Sequence, residues 1–97
     1  MKCKVCENII ESTFNGRLFD CEKCLSYFSI DEKFIGLNLT NKFSNDNFIS
    51  FDQKDRLYYT KNGQYEIFKL ETPLNDNATD KEKYEFLKSF LDNMIFL

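Results

Sequence analysis

The 97-residue sequence contains no histidine and no tryptophan, and it has only one proline and three glycines. Without histidine, the chain lacks the commonest general base and a frequent partner of catalytic nucleophiles. The scarcity of proline and glycine excludes collagen-like and low-complexity chains, and a hydrophobic content of 42% excludes a disordered one. Since no glycine-rich phosphate loop or catalytic carboxylate pair is evident either, we expect a protein that is not an enzyme and has no small-molecule substrate.

Long apolar runs are also missing, because every apolar stretch is far shorter than the roughly 18 residues that a membrane-spanning helix requires. The charged opening Met1–Lys4 is not followed by the apolar segment of a secretory leader. We therefore expect no membrane association and a reducing, cytoplasmic location, where paired cysteines are more often metal ligands than disulfides.

The sequence has fewer basic than acidic side chains, with 13 lysines and arginines against 16 acidic residues and a net charge of -3. Residues 1–30 are balanced, so the excess of acid lies in residues 31–97. A duplex-binding domain usually has a basic face that displaces counterions, and no dense basic cluster occurs here. We therefore expect a protein partner or a second copy of the chain more than a nucleic acid.

Four cysteines are present, in two pairs of identical spacing. A two-residue spacer allows one tight turn to present two thiolates to the same ion, and four thiolates complete a closed tetrahedral shell. The sequence therefore predicts one structural Zn2+ ion with no open position for a catalytic water. The predicted metal ligands are Cys3, Cys6, Cys21 and Cys24. The same residues also allow a rubredoxin-like iron site, a redox dithiol or paired disulfides.

A hairpin turn lies between the two cysteine pairs. Asn15 and Gly16 are typical of a two-residue turn in which both residues need positive φ. Such a hairpin would return the second cysteine pair towards the first, so the turn and the cysteine spacing agree on one geometry. The predicted cross-strand pairs are Thr13 with Leu18, Ser12 with Phe19, and Ile10 with Cys21.

Residues 1–30 resemble a zinc ribbon, a family in which two cysteine knuckles hold one zinc ion at the end of a β-hairpin. The resemblance implies, by position, that the four cysteines are the zinc ligands. Zinc ribbons serve in transcription factors, polymerase subunits, ribosomal proteins and accessory pieces of enzymes, so the family does not specify a role. Many members place glycine directly after the second cysteine of a knuckle. Here Glu7 and Leu25 occupy those places, and we take Asn8 as the left-handed residue instead.

The remaining sequence predicts further strands. Asn62 and Gly63 again mark a two-residue hairpin turn. The predicted cross-strand pairs are Tyr58 with Ile67, Thr60 with Tyr65, Leu57 with Phe68, and Tyr59 with Glu66. Shorter strands are predicted over Leu25–Ile30, Phe34–Thr40 and Phe48–Phe51.

A C-terminal helix follows. Thr79 and Glu82 have the spacing of a capping box, in which each side chain bonds the other residue's backbone amide. Apolar residues then recur at helical spacing, which predicts one face packed on the sheet. They are Tyr84, Leu87, Leu91, Met94 and Ile95, widened by Phe86, Phe90 and Leu97. The widening residues could alternatively mark a dimer or partner contact.

Together these patterns predict an α+β fold, in which an N-terminal zinc ribbon (1–30) continues into an antiparallel sheet with one C-terminal helix (31–97), packed as one compact unit. Aromatic residues make up 16% of the chain, and core filling explains most of them. An alternative is that some form a contact surface, and the candidates are Tyr27, Phe28, Tyr58, Tyr59 and Tyr65.

The sequence-based function is a small, non-enzymatic structural-zinc protein that acts as a protein–protein interaction module. The alternative is a nucleic-acid-associated zinc ribbon, such as an accessory factor of transcription. Its candidate contacts are Lys2, Lys4, Arg17 and Lys23, with Phe14 and Phe19.

Overall fold

The computed structural model describes residues 1–10, 13–14, 16–40 and 46–94. These residues form seven β-strands in one sheet and one α-helix. The strands are β1 (Thr13–Phe14), β2 (Leu18–Asp20), β3 (Ser26–Ser29), β4 (Phe34–Asn38), β5 (Asn47–Gln53), β6 (Arg56–Lys61) and β7 (Gln64–Lys69), and the helix is α1 (Asp80–Met94).

The sheet is a simple meander. Each strand pairs antiparallel with the next one along the chain, so the spatial order is the sequence order from β1 to β7. The α+β class is therefore confirmed, and the strands of the cysteine segment belong to the same sheet as the rest. The division of the chain at residue 30 stays a prediction. Among the described residues, no helix has the length and apolar character to cross a membrane.

Helix α1 begins as the capping box predicts. The Glu82 backbone N–H donates to Thr79 Oγ1 at 3.1 Å, and the Thr79 backbone N–H donates to Glu82 Oε1 at 3.3 Å. These two bonds satisfy amides that the first turn of a helix leaves without an internal partner. Ile95 and Leu97, which the sequence assigns to the apolar stripe, lie outside the described residues.

The helix packs on one face of the sheet and closes the core. Leu87 is fully buried there. The Phe86 ring lies 5.9 Å from that of Phe51, and the Phe90 ring lies 5.3 Å from that of Phe68. Phe86 and Phe90 are thus packed against the sheet, as the core-filling interpretation expects.

The hairpin of β6 and β7 has the predicted register. Its four predicted cross-strand pairs all occur, and the turn residues Asn62 and Gly63 have φ angles of 53° and 79°. Positive φ at both positions matches the right-handed twist of the flanking strands. The turn chemistry therefore correctly predicts the register of this part of the sheet.

The hairpin of β1 and β2 has a different register from the predicted one. Thr13 pairs with Phe19 and Phe14 pairs with Leu18, so three residues connect the strands instead of two. Gly16, at φ 69°, provides a left-handed residue in the middle of that connection, a conformation that glycine adopts without strain. The predicted pair of Thr13 with Leu18 is therefore wrong by one residue.

The other two predicted pairs of this hairpin also fail. Phe19, for which the sequence predicts Ser12 as partner, pairs with Thr13, and Ser12 itself lies outside the described residues. Ile10 does not pair with Cys21, because its backbone N–H donates to the Met1 carbonyl at 2.7 Å. This bond closes the loop that carries the first cysteine pair.

Strand β4 contains a glycine where two strands approach closely. Gly36 is opposite Tyr27 of β3 and Ser50 of β5. A Cβ atom at this position would lie 2.1 Å from the Ile49 carbonyl oxygen, which belongs to the backbone and cannot rotate away. The central sheet therefore requires glycine here for steric reasons.

Replacing Gly36 with alanine should destabilise the protein by about 3 kcal/mol or more, because the sheet backbone must shift to relieve the collision. Urea unfolding followed by circular dichroism measures the change. The matched control is Gly16→Ala, where a Cβ meets nothing within 4 Å and only the left-handed backbone is strained. This control should lose about 1 kcal/mol. Equal losses in the two variants would contradict the steric argument.

Candidate metal centre

The four cysteine side chains meet at one point. All four Sγ atoms lie within 4.8 Å of one another, with 3.7 Å between Cys3 and Cys24 and 3.5 Å between Cys6 and Cys21. A metal–sulfur bond of about 2.3 Å in a tetrahedral site places the sulfurs about 3.8 Å apart. The cluster therefore has the dimensions of a tetrathiolate metal site.

The same distances bear on the disulfide alternative. All four cysteines are free thiols, and the short Sγ separations join one cysteine of each pair to one of the other pair. A disulfide requires an S–S distance of about 2.05 Å. The donor set suits zinc and iron equally well, so the geometry indicates a metal site without identifying the metal.

Two short turns present the cysteines, and they have the same backbone pattern. In the first turn, the Cys3 N–H donates to the Asn8 carbonyl at 2.7 Å and the Glu7 N–H donates to the Cys3 carbonyl at 2.9 Å. The second turn repeats both bonds with Cys21 in the place of Cys3, using the Ser26 carbonyl and the Leu25 N–H, each at 2.9 Å. The pairs thus form two equivalent knuckles facing each other.

The residue after the second cysteine of each knuckle is left-handed. Glu7 and Leu25 both have φ of 66°, whereas Asn8 does not have positive φ. The expectation that Asn8 would take the left-handed role is therefore wrong. The amide of the left-handed residue must reach back to the first cysteine's carbonyl, and this closure imposes the conformation whatever side chain stands there. A non-glycine residue in this conformation is strained by roughly 1 kcal/mol.

Hydrogen-bond donors surround the sulfurs of both knuckles. Backbone amides face Cys3 Sγ from Val5 and Cys6. Such bonds orient the ligands and stabilise the negative charge of thiolates.

Two polar side chains add to this shell. The Ser26 hydroxyl lies 3.2 Å from Cys24 Sγ, and Asn8 Nδ2 donates to Cys21 Sγ at 4.0 Å. Both residues stand two positions after the second cysteine of a knuckle, and Ser26 is fully buried. The sequence reasoning missed both, although a polar residue at this repeated offset was the available signal.

The knuckles are joined to the sheet and to the helix. The Asn38 N–H of β4 donates to the Leu25 carbonyl at 2.7 Å, which fixes the second knuckle to the central sheet. Burial raises the pKa of Tyr84 in α1, and charge on Cys24, Cys6 and Cys3 raises it further. The tyrosine of the helix therefore lies within electrostatic reach of the cysteine cluster, a position that the helical stripe alone did not indicate.

Burial divides the cysteines into two classes. Cys3 and Cys21 are buried in the core, whereas Cys6 and Cys24 are partly exposed. Burial raises the pKa of the Cys3 thiol despite the amides that face it, and burial strongly raises that of Cys24 despite the Ser26 hydroxyl. Without a metal ion, these two thiols hold their protons at neutral pH.

Cys6 behaves differently from these two. Burial acts to raise its pKa, but hydrogen bonds from the Asn8 backbone and the Cys21 thiol outweigh this effect, so the pKa is lowered. The cluster therefore contains one thiol with a lowered pKa beside two with raised pKa values. A cation that supplies charge at the centre would allow all of them to ionise.

Comparisons of the chain with known protein families, with curated proteins and with solved structures find no match. The interpretation of the centre therefore depends on the cysteine geometry.

The left-handed strain at Glu7 gives a direct test of the knuckle geometry. Glu7→Gly should stabilise the metal-loaded protein by up to about 1 kcal/mol, because glycine adopts positive φ without strain. Glu22 is the matched control, since it lies inside the second knuckle, is exposed and does not have positive φ. Glu22→Gly should destabilise by about 0.5–1 kcal/mol. Urea unfolding at fixed metal concentration measures both, and the same sign of change in the two variants would refute the assignment.

Metal affinity should increase with pH. Since Cys3 and Cys24 are protonated in the metal-free chain, an ion must displace at least their two protons. Acidification therefore favours release. In the metal-free chain the free energy of unfolding depends on pH in the opposite direction. A thiol whose pKa is raised in the folded state stabilises the fold below its ordinary pKa, and this contribution is lost as pH rises through the raised value. Competition with a chromophoric chelator measures the affinity, and an affinity independent of pH would exclude thiolate ligation.

Proposed function

We propose that the protein binds one structural zinc ion through Cys3, Cys6, Cys21 and Cys24 in a zinc-ribbon arrangement, and that it acts as a non-enzymatic protein-interaction module. The convergence of four sulfurs within 4.8 Å from two equivalent knuckles carries the proposal. A reducing compartment such as the cytoplasm would keep these thiols available to the metal.

A structural role is favoured over a catalytic one. Four protein ligands fill a tetrahedral shell and leave no position for water or substrate. Cys3 and Cys21 are also buried, so the centre of the cluster faces the core. Zinc is favoured over iron because it has no redox chemistry and therefore requires no redox partner.

Metal binding would also compensate for the strain in the cysteine segment. The cysteine segment has short strands, and it includes two left-handed residues other than glycine. Cys3 and Cys21 occupy core positions that larger apolar residues would otherwise fill, beside Ile10 and Phe28. A structural zinc site contributes roughly 10–16 kcal/mol at neutral pH, which exceeds the strain in the knuckles.

The interaction role is supported by the sheet face opposite the helix. Phe48, Tyr58 and Tyr65 form a stack of rings on that face, with centroids 5.7 and 5.4 Å apart. Tyr65 is 63% exposed and Ile67 of the same strand is 48% exposed. Large apolar side chains grouped in this way are typical of a surface that meets another protein.

The nucleic-acid alternative draws less support. Phe19, one of its proposed contacts, packs against the buried core, and the Phe14 side chain lies outside the described residues. Lys2 Nζ lies 3.9 Å from Glu7 Oε1, so its charge is partly compensated. An oligonucleotide that binds at low salt, with an affinity that falls as salt increases, would favour this alternative.

Elemental analysis and chelation test the metal proposal. We expect about one zinc ion per chain, and its removal with a strong chelator should unfold at least residues 1–30, because the small core there cannot replace the metal. Circular dichroism and amide exchange follow the loss. Cys21→Ser is the internal control: it should bind little metal, and the chelator should leave its spectrum unchanged.

Two results would contradict the proposal. A metal-free protein that is fully ordered when freshly purified would show that the cluster does not need an ion. Iron at one atom per chain would keep the tetrathiolate site and refute its assignment to zinc.

A further inference from the structure

Strand β7 forms a complete outer edge of the sheet. It has six residues, whereas β1 at the opposite edge has two. An edge strand exposes a row of amide and carbonyl groups that can pair with another strand. Edge β7 contains no proline and no bulge to its neighbour β6, two devices that commonly prevent such pairing.

The outward-facing backbone groups of β7 can be identified from the hairpin. In a two-residue hairpin the pair next to the turn, here Lys61 and Gln64, exchanges hydrogen bonds, and the pattern then alternates. Leu70 continues this alternation, because its N–H points towards the β6 side and donates to the Asp55 carbonyl at 2.6 Å.

Tyr65, Ile67 and Lys69 therefore direct their amides and carbonyls away from β6. Within the described part of the chain, none of these amides and carbonyls is hydrogen-bonded to the backbone of a loop or turn beside the sheet. Three amides and three carbonyls are available to a further strand at this edge.

The side chains beside these groups are unusually apolar for an exposed edge. Tyr65 ends the ring stack that runs across β5, β6 and β7, and Ile67 lies beside it on the same face. Both side chains are about half exposed or more. A strand added to β7 would cover them and continue the apolar row.

We propose that this strand is β7 of a second copy, paired antiparallel about a twofold axis that passes between the two Ile67 residues. In this register Ile67 faces its own counterpart and Tyr65 faces the second copy's Lys69. Each outward amide then meets an outward carbonyl, so six new hydrogen bonds form. This inference names the partner in the proposed interaction function and rests on that function.

The charges of β7 favour this register over its neighbours. A twofold axis keeps the equivalent faces of the two strands on the same side of the sheet. The permitted registers therefore differ by a shift of two residues of one strand along the other. The proposed register places Glu66 opposite Phe68 and the Lys69 ammonium near the Tyr65 ring, with no like charges opposed. The neighbouring register in which Tyr65 faces Ile67 places Glu66 opposite Glu66, which is repulsive. The neighbouring register in which Ile67 faces Lys69 pairs fewer residues of the two strands.

The second copy is favoured over an unrelated strand because one sequence provides both halves of this match. A pairing of five residues from each strand is small beside a standard interface of about 1,200–2,000 Å². The dimer is therefore weak and concentration-dependent.

Sedimentation equilibrium of the metal-loaded chain tests the inference. The mean mass should rise from monomer to dimer as concentration increases through the micromolar to millimolar range. Ile67→Lys should weaken association about tenfold or more, because two lysines then face each other at the axis. Ile30→Lys is the matched control, since Ile30 is 54% exposed and lies outside the strands, and it should leave association unchanged. Circular dichroism confirms that both variants fold.

The register has its own measurement. A sample of mixed labelled and unlabelled chains should give intermolecular contacts between the Tyr65 ring and Lys69 in filtered nuclear Overhauser spectra. Contacts between paired Glu66 residues instead would overturn the register.

A protein that stays monomeric at millimolar concentration, or a dimer that Ile67→Lys leaves intact, would overturn the proposal. A monomer whose Tyr65 and Ile67 amides respond to an unrelated extended peptide would assign the edge to a different partner and also overturn it. Any of these three outcomes, with zinc still bound, would leave the metal proposal standing. Loss of the metal proposal would instead appear in the elemental analysis.

Discussion

The convergence of four sulfur atoms from two separate turns is the constraint on which the N-terminal half of the sheet depends. Each turn closes on itself through backbone bonds, and these bonds force a left-handed residue at the same place in both turns. The contact between the two is made by sulfur, so a shared ion at that point would stabilise both at once.

The cysteine cluster is also part of the core and not an appendage to it. The second knuckle bonds to β4, and Tyr84 of the helix lies close enough for thiolate charge to affect its pKa. The first and last described segments of the chain therefore meet at the same place. A change in the charge of the cluster therefore alters the pKa of Tyr84 in the helix.

Some features could be predicted from the sequence because local chemistry decides them. The turn at Asn62 and Gly63 and the capping box at Thr79 each satisfy backbone groups within a few residues, and both occur as predicted. The convergence of the cysteines was predicted from their spacing. The register of the β1–β2 hairpin could not be predicted, because an Asn-Gly pair suits a two-residue or a three-residue loop. Only the packing of the strands decides between them. The left-handed Glu7 also escaped prediction, because closure of the knuckle overrides side-chain preference.

The strictly sequential order of the strands has a consequence for how the chain reaches its structure. Every strand pairs with its immediate neighbour in the chain, so each step of sheet formation closes only a short segment. Short closures carry a small entropic cost and correspond to a low contact order, which is associated with rapid folding. Docking of the helix on the sheet is the step that joins parts of the chain distant in sequence.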